Sequence, residues 1–453
     1  MSSSYALHFF FLLSLLSLSI ALKSIKPYHA FHLPINKDPS TLQYYTSIQM
    51  GTPPVKLDVV IDIRERFLWF ECGNNYNSTT YKPLHCGTKQ CKIAKGTDCI
   101  NCTNHPLKTG CTNNTCGVEP YNPFGEFFVS GDVGEDILLS SSSTYTTNNG
   151  SSVVVSNAYI PSFISSCVYP DKFGIDGFLG GLAKGKKGVL GLARTSISLP
   201  TQLANKYKLH RKFSLCLPST SEEKGHNNGV LFVGEDPYFS PHLKASKILN
   251  YTPLVFNRHS TGPIYDNDPS TEYFIRLKSI KVDNQVLNFN TSLLSINKEG
   301  HGGTKLSTVI PYTKLHTSIY QPLVNYFVNK ASVRKIKRVK AVAPFGACFD
   351  ARTIRNSVTG PDVPSIDLLL KGGVKWRIYG ANSMVKVDKK NVLCLAFVDG
   401  AGLEPTTPLA TSIVIGGHQL EDNFVEFDLV SLKFGFTSSL LLRNSSCSHS
   451  TTF

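Results

Sequence analysis

Charge is what this sequence has least of. Only 17% of its 453 residues are Asp, Glu, Lys or Arg, against roughly a quarter in ordinary soluble domains. Ser, Thr and Asn carry the polar surface instead. Acids are the scarcer sign, with 32 Asp+Glu against 46 Lys+Arg and a formal charge of +14. No short repeat and no low-complexity linker interrupts the chain, so coiled-coil and collagen-like architectures are excluded. Hydrophobic residues at 41% and aromatics at 11% exclude disorder. The apolar run at residues 9–21 is too short to span a bilayer, lacks a stop-transfer flank and ends in Ser19-Ile20-Ala21. Only His8 stands where a basic leader would be. Residues 1–21 therefore read as a signal peptide, which predicts a secreted, extracellular protein without a membrane anchor. No nucleic-acid-binding module is recognisable, so nucleic acid is not an expected partner.

What is present fits that compartment. There are 12 cysteines: Cys72, Cys86, Cys91, Cys99, Cys102, Cys111, Cys116, Cys167, Cys216, Cys348, Cys394 and Cys447. Cys99-Ile100-Asn101-Cys102 has the spacing of a zinc or redox pair, but in an oxidising compartment it reads as disulfide-forming. No metal or cofactor is expected. Sequons occur at Asn77, Asn101, Asn113, Asn149, Asn250, Asn290 and Asn444, as in a secreted glycoprotein.

The 34 Gly and 25 Pro punctuate strand-like runs at residues 44–50, 57–62, 153–155, 229–233, 273–282 and 412–415, an all-β pattern. Residues 140–152 (SSSSTYTTNNGSS) read as a mobile surface loop. Two helices are expected, at 199–207 and 318–329, with Ile319, Leu323, Phe327 and Val328 on one face and Pro322 in the first turn. Val189-Leu190-Gly191-Leu192 and Ile413-Val414-Ile415-Gly416-Gly417 each put glycine in an apolar strand, where backbones approach closely. Their repetition, with the length, predicts two lobes, at 22–245 and 246–453.

Residues 45–54 (YTSIQMGTPP), Val59-Val60-Ile61-Asp62, Phe67-Leu68-Trp69-Phe70-Glu71-Cys72, and the two glycine segments together resemble the pepsin-like aspartic protease fold, bilobal and all-β. That family's chemistry needs two carboxylates sharing one proton across a water. Each lies in an Asp-Thr/Ser-Gly-Thr/Ser motif. Here the first site reads Asp62-Ile63-Arg64-Glu65, and in the second, Ser307 stands where the other Asp belongs. A serine hydroxyl neither ionises near neutral pH nor shares a proton with Asp62, and it lacks a recognisable His partner. The dyad reads as dead, with Asp62 a structural acid paired with Arg64 or Arg66. Strand alternation puts Glu65 on the face opposite Asp62, so it does not replace the lost acid.

Residues 304–312 (TKLSTVIPY), Gly346-Ala347-Cys348-Phe349, residues 363–368 (VPSIDL) and 411–423 (TSIVIGGHQLEDN) narrow the resemblance to one plant group. It comprises basic seed globulins, extracellular dermal glycoprotein and inhibitors of xylanase and xyloglucan-specific endoglucanase. The resemblance implies a proteolytically inactive, secreted, disulfide-rich protein of plant defence. It further implies bridges Cys216–Cys447 and Cys348–Cys394, with the other eight cysteines paired in the first lobe. The implied partner is a microbial endoglucanase or xylanase. Arg443, four residues before Cys447, and the loop at 355–361 with Arg355 and Val358 take the positions of the group's inhibitory contacts. A peptide- or polysaccharide-binding basic globulin is the alternative, with a residual aspartic endopeptidase behind it. The run Arg334-Lys335-Ile336-Lys337-Arg338-Val339-Lys340 could meet an acidic wall polysaccharide, although a solvated edge is the plainer reading.

Overall fold

The structure is a computed structural model describing residues 30–73, 76–102, 106–147, 151–169, 175–219, 229–235, 238–240, 243–260, 269–387, 391–401 and 411–449. The expected signal peptide and the sequon at Asn149 lie outside the described residues.

Strands dominate, and six of them join the lobes. Ala30–Lys37 pairs with Gly229–Gly234, which pairs with Lys212–Cys216. That strand pairs with Phe424–Asp428, then come Lys433–Phe436 and Asn250–Val255, every neighbour antiparallel. Strands from both ends of the chain thus share one sheet. Aromatic residues fill its core: Phe213 stacks on Phe427 with centroids 4.6 Å apart, and Trp376 lies 5.0 Å from Phe436. Such pairs favour offset or tilted geometry and add to the burial gain.

Each lobe repeats one unit. Val55–Asp62 runs parallel to Gly188–Gly191, with Asp62 opposite Gly191. Thr304–Leu306 runs parallel to Ile413–Ile415, with Leu306 opposite Ile415. Asp62 and Ser307 therefore sit at the ends of equivalent strands. The glycines are required by close approach. A Cβ on Gly191 would lie 2.4 Å from the Glu65 carbonyl oxygen, and one on Gly416 would lie 2.6 Å from the Tyr312 carbonyl carbon.

Two local expectations are corrected. Of residues 140–152, those at 140–147 and 151–152 are strand rather than loop: Gly131–Thr147 and Ser151–Val168 pair as antiparallel strands, with Ser140 opposite Ala158 and Thr144 opposite Val154, and residues 148–150 lie outside the described residues. The second helix is longer than expected, Thr317–Val333, and buries Ile319, Leu323, Phe327 and Ala331 at four-residue spacing. Because it starts at Thr317, Pro322 falls in the second turn and removes the donor that would reach residue 318. The helix Leu199–Tyr207 has the expected bounds.

Six disulfides brace the fold: Cys72–Cys167, Cys86–Cys99, Cys91–Cys116, Cys102–Cys111, Cys216–Cys447 and Cys348–Cys394. Cys216–Cys447 ties the C-terminal turn to the shared sheet across 231 residues.

Candidate functional site

The strand ending at Asp62 delivers its carboxylate into the interface between the lobes, 1% exposed. Asp62 Oδ1 accepts a hydrogen bond from the Arg64 backbone N–H at 2.7 Å. Ser307 does the same with a hydroxyl: its Oγ accepts from Val309 N at 3.1 Å and Ile310 N at 3.4 Å. Asp and Ser both form this short side-chain-to-backbone turn, which is why the backbone tolerates the exchange. The turn survives at both sites; only one of them keeps a carboxylate.

A cation stands beside Asp62, where the protease motif has its glycine. Arg64 Nε lies 3.7 Å from Asp62 Oδ2, and its guanidinium carbon sits 4.8 Å from the centre of the Tyr121 ring. Tyr121 belongs to a small hairpin, Tyr121–Asn122 paired with Phe127–Phe128. Asn122 Nδ2 pins this hairpin by donating to the carbonyls of Phe178 and Gly180, both at 2.9 Å. Burial raises the Asp62 pKa, and the Arg64 charge acts against it. Of the two cations expected beside Asp62, Arg64 is in place.

Glu65 is where the alternation argument failed. The strand ends at Asp62, and the bend that follows turns Glu65 inward, 6% exposed, onto the same buried site. Its Oε1 accepts from Arg66 N at 2.9 Å. Burial, and then the Asp62 carboxylate, push its pKa up to about 8. A third acid, Glu272, is held by buried Lys305 at 3.0 and 3.2 Å.

The lobes are clamped here by side chains from both. Thr308 Oγ1 donates to Ile61 O at 2.9 Å and accepts from Ile63 N at 3.2 Å. Arg194 Nη2 donates to the carbonyls of Ser270 and Glu272, at 2.9 and 3.1 Å, while its guanidinium packs on Phe256 at 3.9 Å. Tyr273 OH donates to Leu192 O at 2.7 Å. Beside Asp62 these contacts leave a cavity of about 310 Å³.

The expected inhibitory contacts lie elsewhere. Arg443 is exposed at the end of the 3₁₀ turn Leu440–Arg443, which buries Leu440 and is anchored by Leu440 N to Asp422 O at 2.8 Å and by Cys447 N to Asp422 Oδ1 at 2.8 Å. Arg355 and Val358 flank and tip a hairpin in which Asn356–Ser357 pairs with Gly360–Pro361, and Val358 is 66% exposed. One helical turn supports both loops. Ala381 N donates to Thr359 O at 2.8 Å, and its neighbour Asn382 Nδ2 donates to Glu421 O at 2.8 Å, one residue from the Asp422 that holds the terminal turn. In the basic run, Arg334 is tied to Asp283 and Asp362, whereas Lys335, Lys337, Arg338 and Lys340 are exposed.

Comparison with known proteins was made against this geometry. Residues 44–235 match the family described as Xylanase inhibitor N-terminal, and residues 272–438 match Xylanase inhibitor C-terminal. The chain belongs to this aspartic-protease-like family. It is 44% identical to "Probable aspartic proteinase GIP2" of Nicotiana benthamiana, covering 99% of this chain and 98% of that one. It is 40% identical to "Gamma conglutin 1" of Prunus dulcis over 92% and 88% of the two chains. Among solved structures, that of edgp superposes with a TM-score of 0.84 at 44% identity, covering 94% of this chain and 98% of the other.

Within this xylanase-inhibitor-type chain, the described sequon residues Asn77, Asn101, Asn113, Asn250, Asn290 and Asn444 are all exposed. Asn101 and Asn113 accept backbone hydrogen bonds through Oδ1, from Asn114 N at 2.9 Å and Cys102 N at 3.0 Å, which leaves Nδ2 as the atom a glycan would take. Glu65, Arg194, Glu272 and Lys305 were missed in the sequence because each takes its role from a partner distant in the chain or beyond a strand end. Thr308 alone carried a signal, since it follows Ser307 at the place where the protease motif has a hydroxyl.

Proposed function

We propose that this protein is a secreted inhibitor of microbial cell-wall glycoside hydrolases, of the xyloglucan-specific endoglucanase or xylanase kind, acting in plant defence without peptidase activity. The observation that carries this reading is the pairing of matches to both xylanase-inhibitor family halves, over residues 44–235 and 272–438, with a serine at the second dyad position. Loss of one member of a catalytic unit typically costs several orders of magnitude. Arg64 adds a second obstacle, because it puts a cation 3.7 Å from the remaining carboxylate, at the motif position where the protease has glycine. Six disulfides, the apolar leader and the exposed sequons support an extracellular setting.

For the contact itself, Arg443 is the leading candidate, with Arg355 and Val358 flanking. A retaining glycosidase holds two carboxylates roughly 5–5.5 Å apart. A guanidinium keeps its charge and bonds carboxylates in bidentate fashion, so an inserted Arg suits that cleft. The test is a panel of microbial xyloglucan endoglucanases and xylanases titrated with pure protein, beside an acid protease assay. Tight inhibition of at least one hydrolase with no peptidase activity is expected. Silence across the panel would favour the second reading, a peptide- or polysaccharide-binding globulin. That reading draws on the relatives named gamma conglutin and basic 7S globulin, at 30–40% identity, and on the exposed basic run.

A further inference from the structure

The cavity beside Asp62 lacks the carboxylate pair of a protease cleft, but its walls have a chemistry of their own. Four cations line it, Arg64, Arg66, Lys95 and Arg194, together with the rings of Tyr121, Phe128 and Phe256. Two acids share the wall. Glu272 is already bound by Lys305. Glu65 holds its proton up to about pH 8, through burial and then the Asp62 charge. At neutral pH the wall is therefore net cationic. Tyr121 and Phe128 pack with centroids 4.7 Å apart, and Phe256 carries the Arg194 guanidinium.

One donor on this wall is unsatisfied. Arg64 Nη2 is buried and makes no hydrogen bond, and Asp62 Oδ2 beside it likewise has no hydrogen-bond partner. Buried polar atoms are normally paired, because leaving one unpaired costs free energy. Arg194, by contrast, spends its Nη2 on two carbonyls. A guest carboxylate in the cavity would give the Arg64 guanidinium the acceptor it lacks. At about 310 Å³ the space is at the lower end of ligand pockets, generally about 300–1,000 Å³, so it suits one ring and a short acidic arm.

We infer that this cavity is a binding site for a small aromatic carboxylate, its carboxylate on Arg64 and its ring among Tyr121, Phe128 and Phe256. The site is separate from Arg443 and the hairpin at Val358, neither of which lines the cavity.

Isothermal titration calorimetry on the intact secreted protein tests this with 4-hydroxycinnamate as probe, its methyl ester to remove the charge, and hexanoate to remove the ring. One-to-one binding of the acid is expected with a Kd of about 1 mM or tighter, and at least about tenfold weaker binding of both analogues. Arg64→Gln should weaken the acid by about tenfold and leave the ester unaffected. If Arg64→Gln is not secreted, Tyr121→Leu, in the surface hairpin, is expected to lower affinity for the acid without changing the melting temperature. Absence of saturable heat up to about 5 mM overturns the site. So does equal binding of acid and ester, or wild-type affinity in either variant. No hydrolase enters the experiment, so its outcome is independent of the inhibitor reading.

Discussion

The hydroxyl of Thr308 bridges the two lobes at Ile63, accepting from its N–H at 3.2 Å while donating to Ile61 O at 2.9 Å. Thr308 follows Ser307 as Ile63 follows Asp62, so a symmetric molecule would return the same contact from a hydroxyl at residue 63. Isoleucine cannot, and the bridge is made from one side only. Thr308→Val keeps the shape and removes both bonds inside a buried interface. It is expected to destabilise the protein by about 1–3 kcal/mol, measured as a lower denaturation midpoint. An unchanged midpoint would show that the bridge contributes nothing.

Restoring the second acid should not restore a protease. Ser307→Asp supplies a carboxylate, but Arg64 still lies 3.7 Å from Asp62 and Ile63 still lacks a hydroxyl. Digestion of denatured haemoglobin at acid pH, with and without pepstatin, is expected to stay at background for both the wild type and this variant. Pepstatin-sensitive cleavage by the wild type that disappears in Asp62→Asn would contradict the inactive reading.

Glu65 makes a pH prediction whose sign follows from a raised acid pKa. Folding lifts it from the ordinary 4.5 to about 8, so between those values the folded state holds a proton that the unfolded chain has released. Its contribution to stability therefore declines as pH rises from about 4.5 to 8, with a slope of at most about 1.4 kcal/mol per pH unit. Glu65→Gln cannot release that proton. Its stability relative to wild type is expected to improve steadily across this window in denaturant titrations. A constant difference between the two proteins would show that Glu65 titrates normally.

Cys447 anchors the C-terminal turn to Cys216 in the shared sheet. Cys447→Ser should lose about 2–5 kcal/mol of stability or fail to be secreted. Peptide mapping of the native protein provides the independent check, with Cys216 and Cys447 recovered as one linked pair.

The inhibitory contact is tested at Arg443. With a sensitive hydrolase in hand, Arg443→Ala should weaken inhibition by about 2 kcal/mol or more, as for a hot-spot residue. Val358→Ala, at the tip of the neighbouring hairpin, is expected to have a smaller effect, since it removes less buried area. Unchanged inhibition in Arg443→Ala would move the contact to another surface.

By itself the sequence determined the architecture and the identity of the residues at the two dyad positions. Strand bounds such as 44–50, and Asp62 and Ser307 at equivalent strand ends, follow from short motifs and alternation, because local backbone geometry imposes them. Tertiary structure decided which groups meet. Alternation is a rule for strands, and it lapsed at Asp62, where the strand ends and Glu65 turns back into the same buried site. Composition pointed to a loop at residues 140–152, yet residues 140–147 and 151–152 pair as strands. Thr308 reaches Ile61 across 247 positions, and Arg194 reaches Ser270 across 76. Such contacts depend on how two lobes close on each other, and burial there sets charge states that the side chains do not have in water.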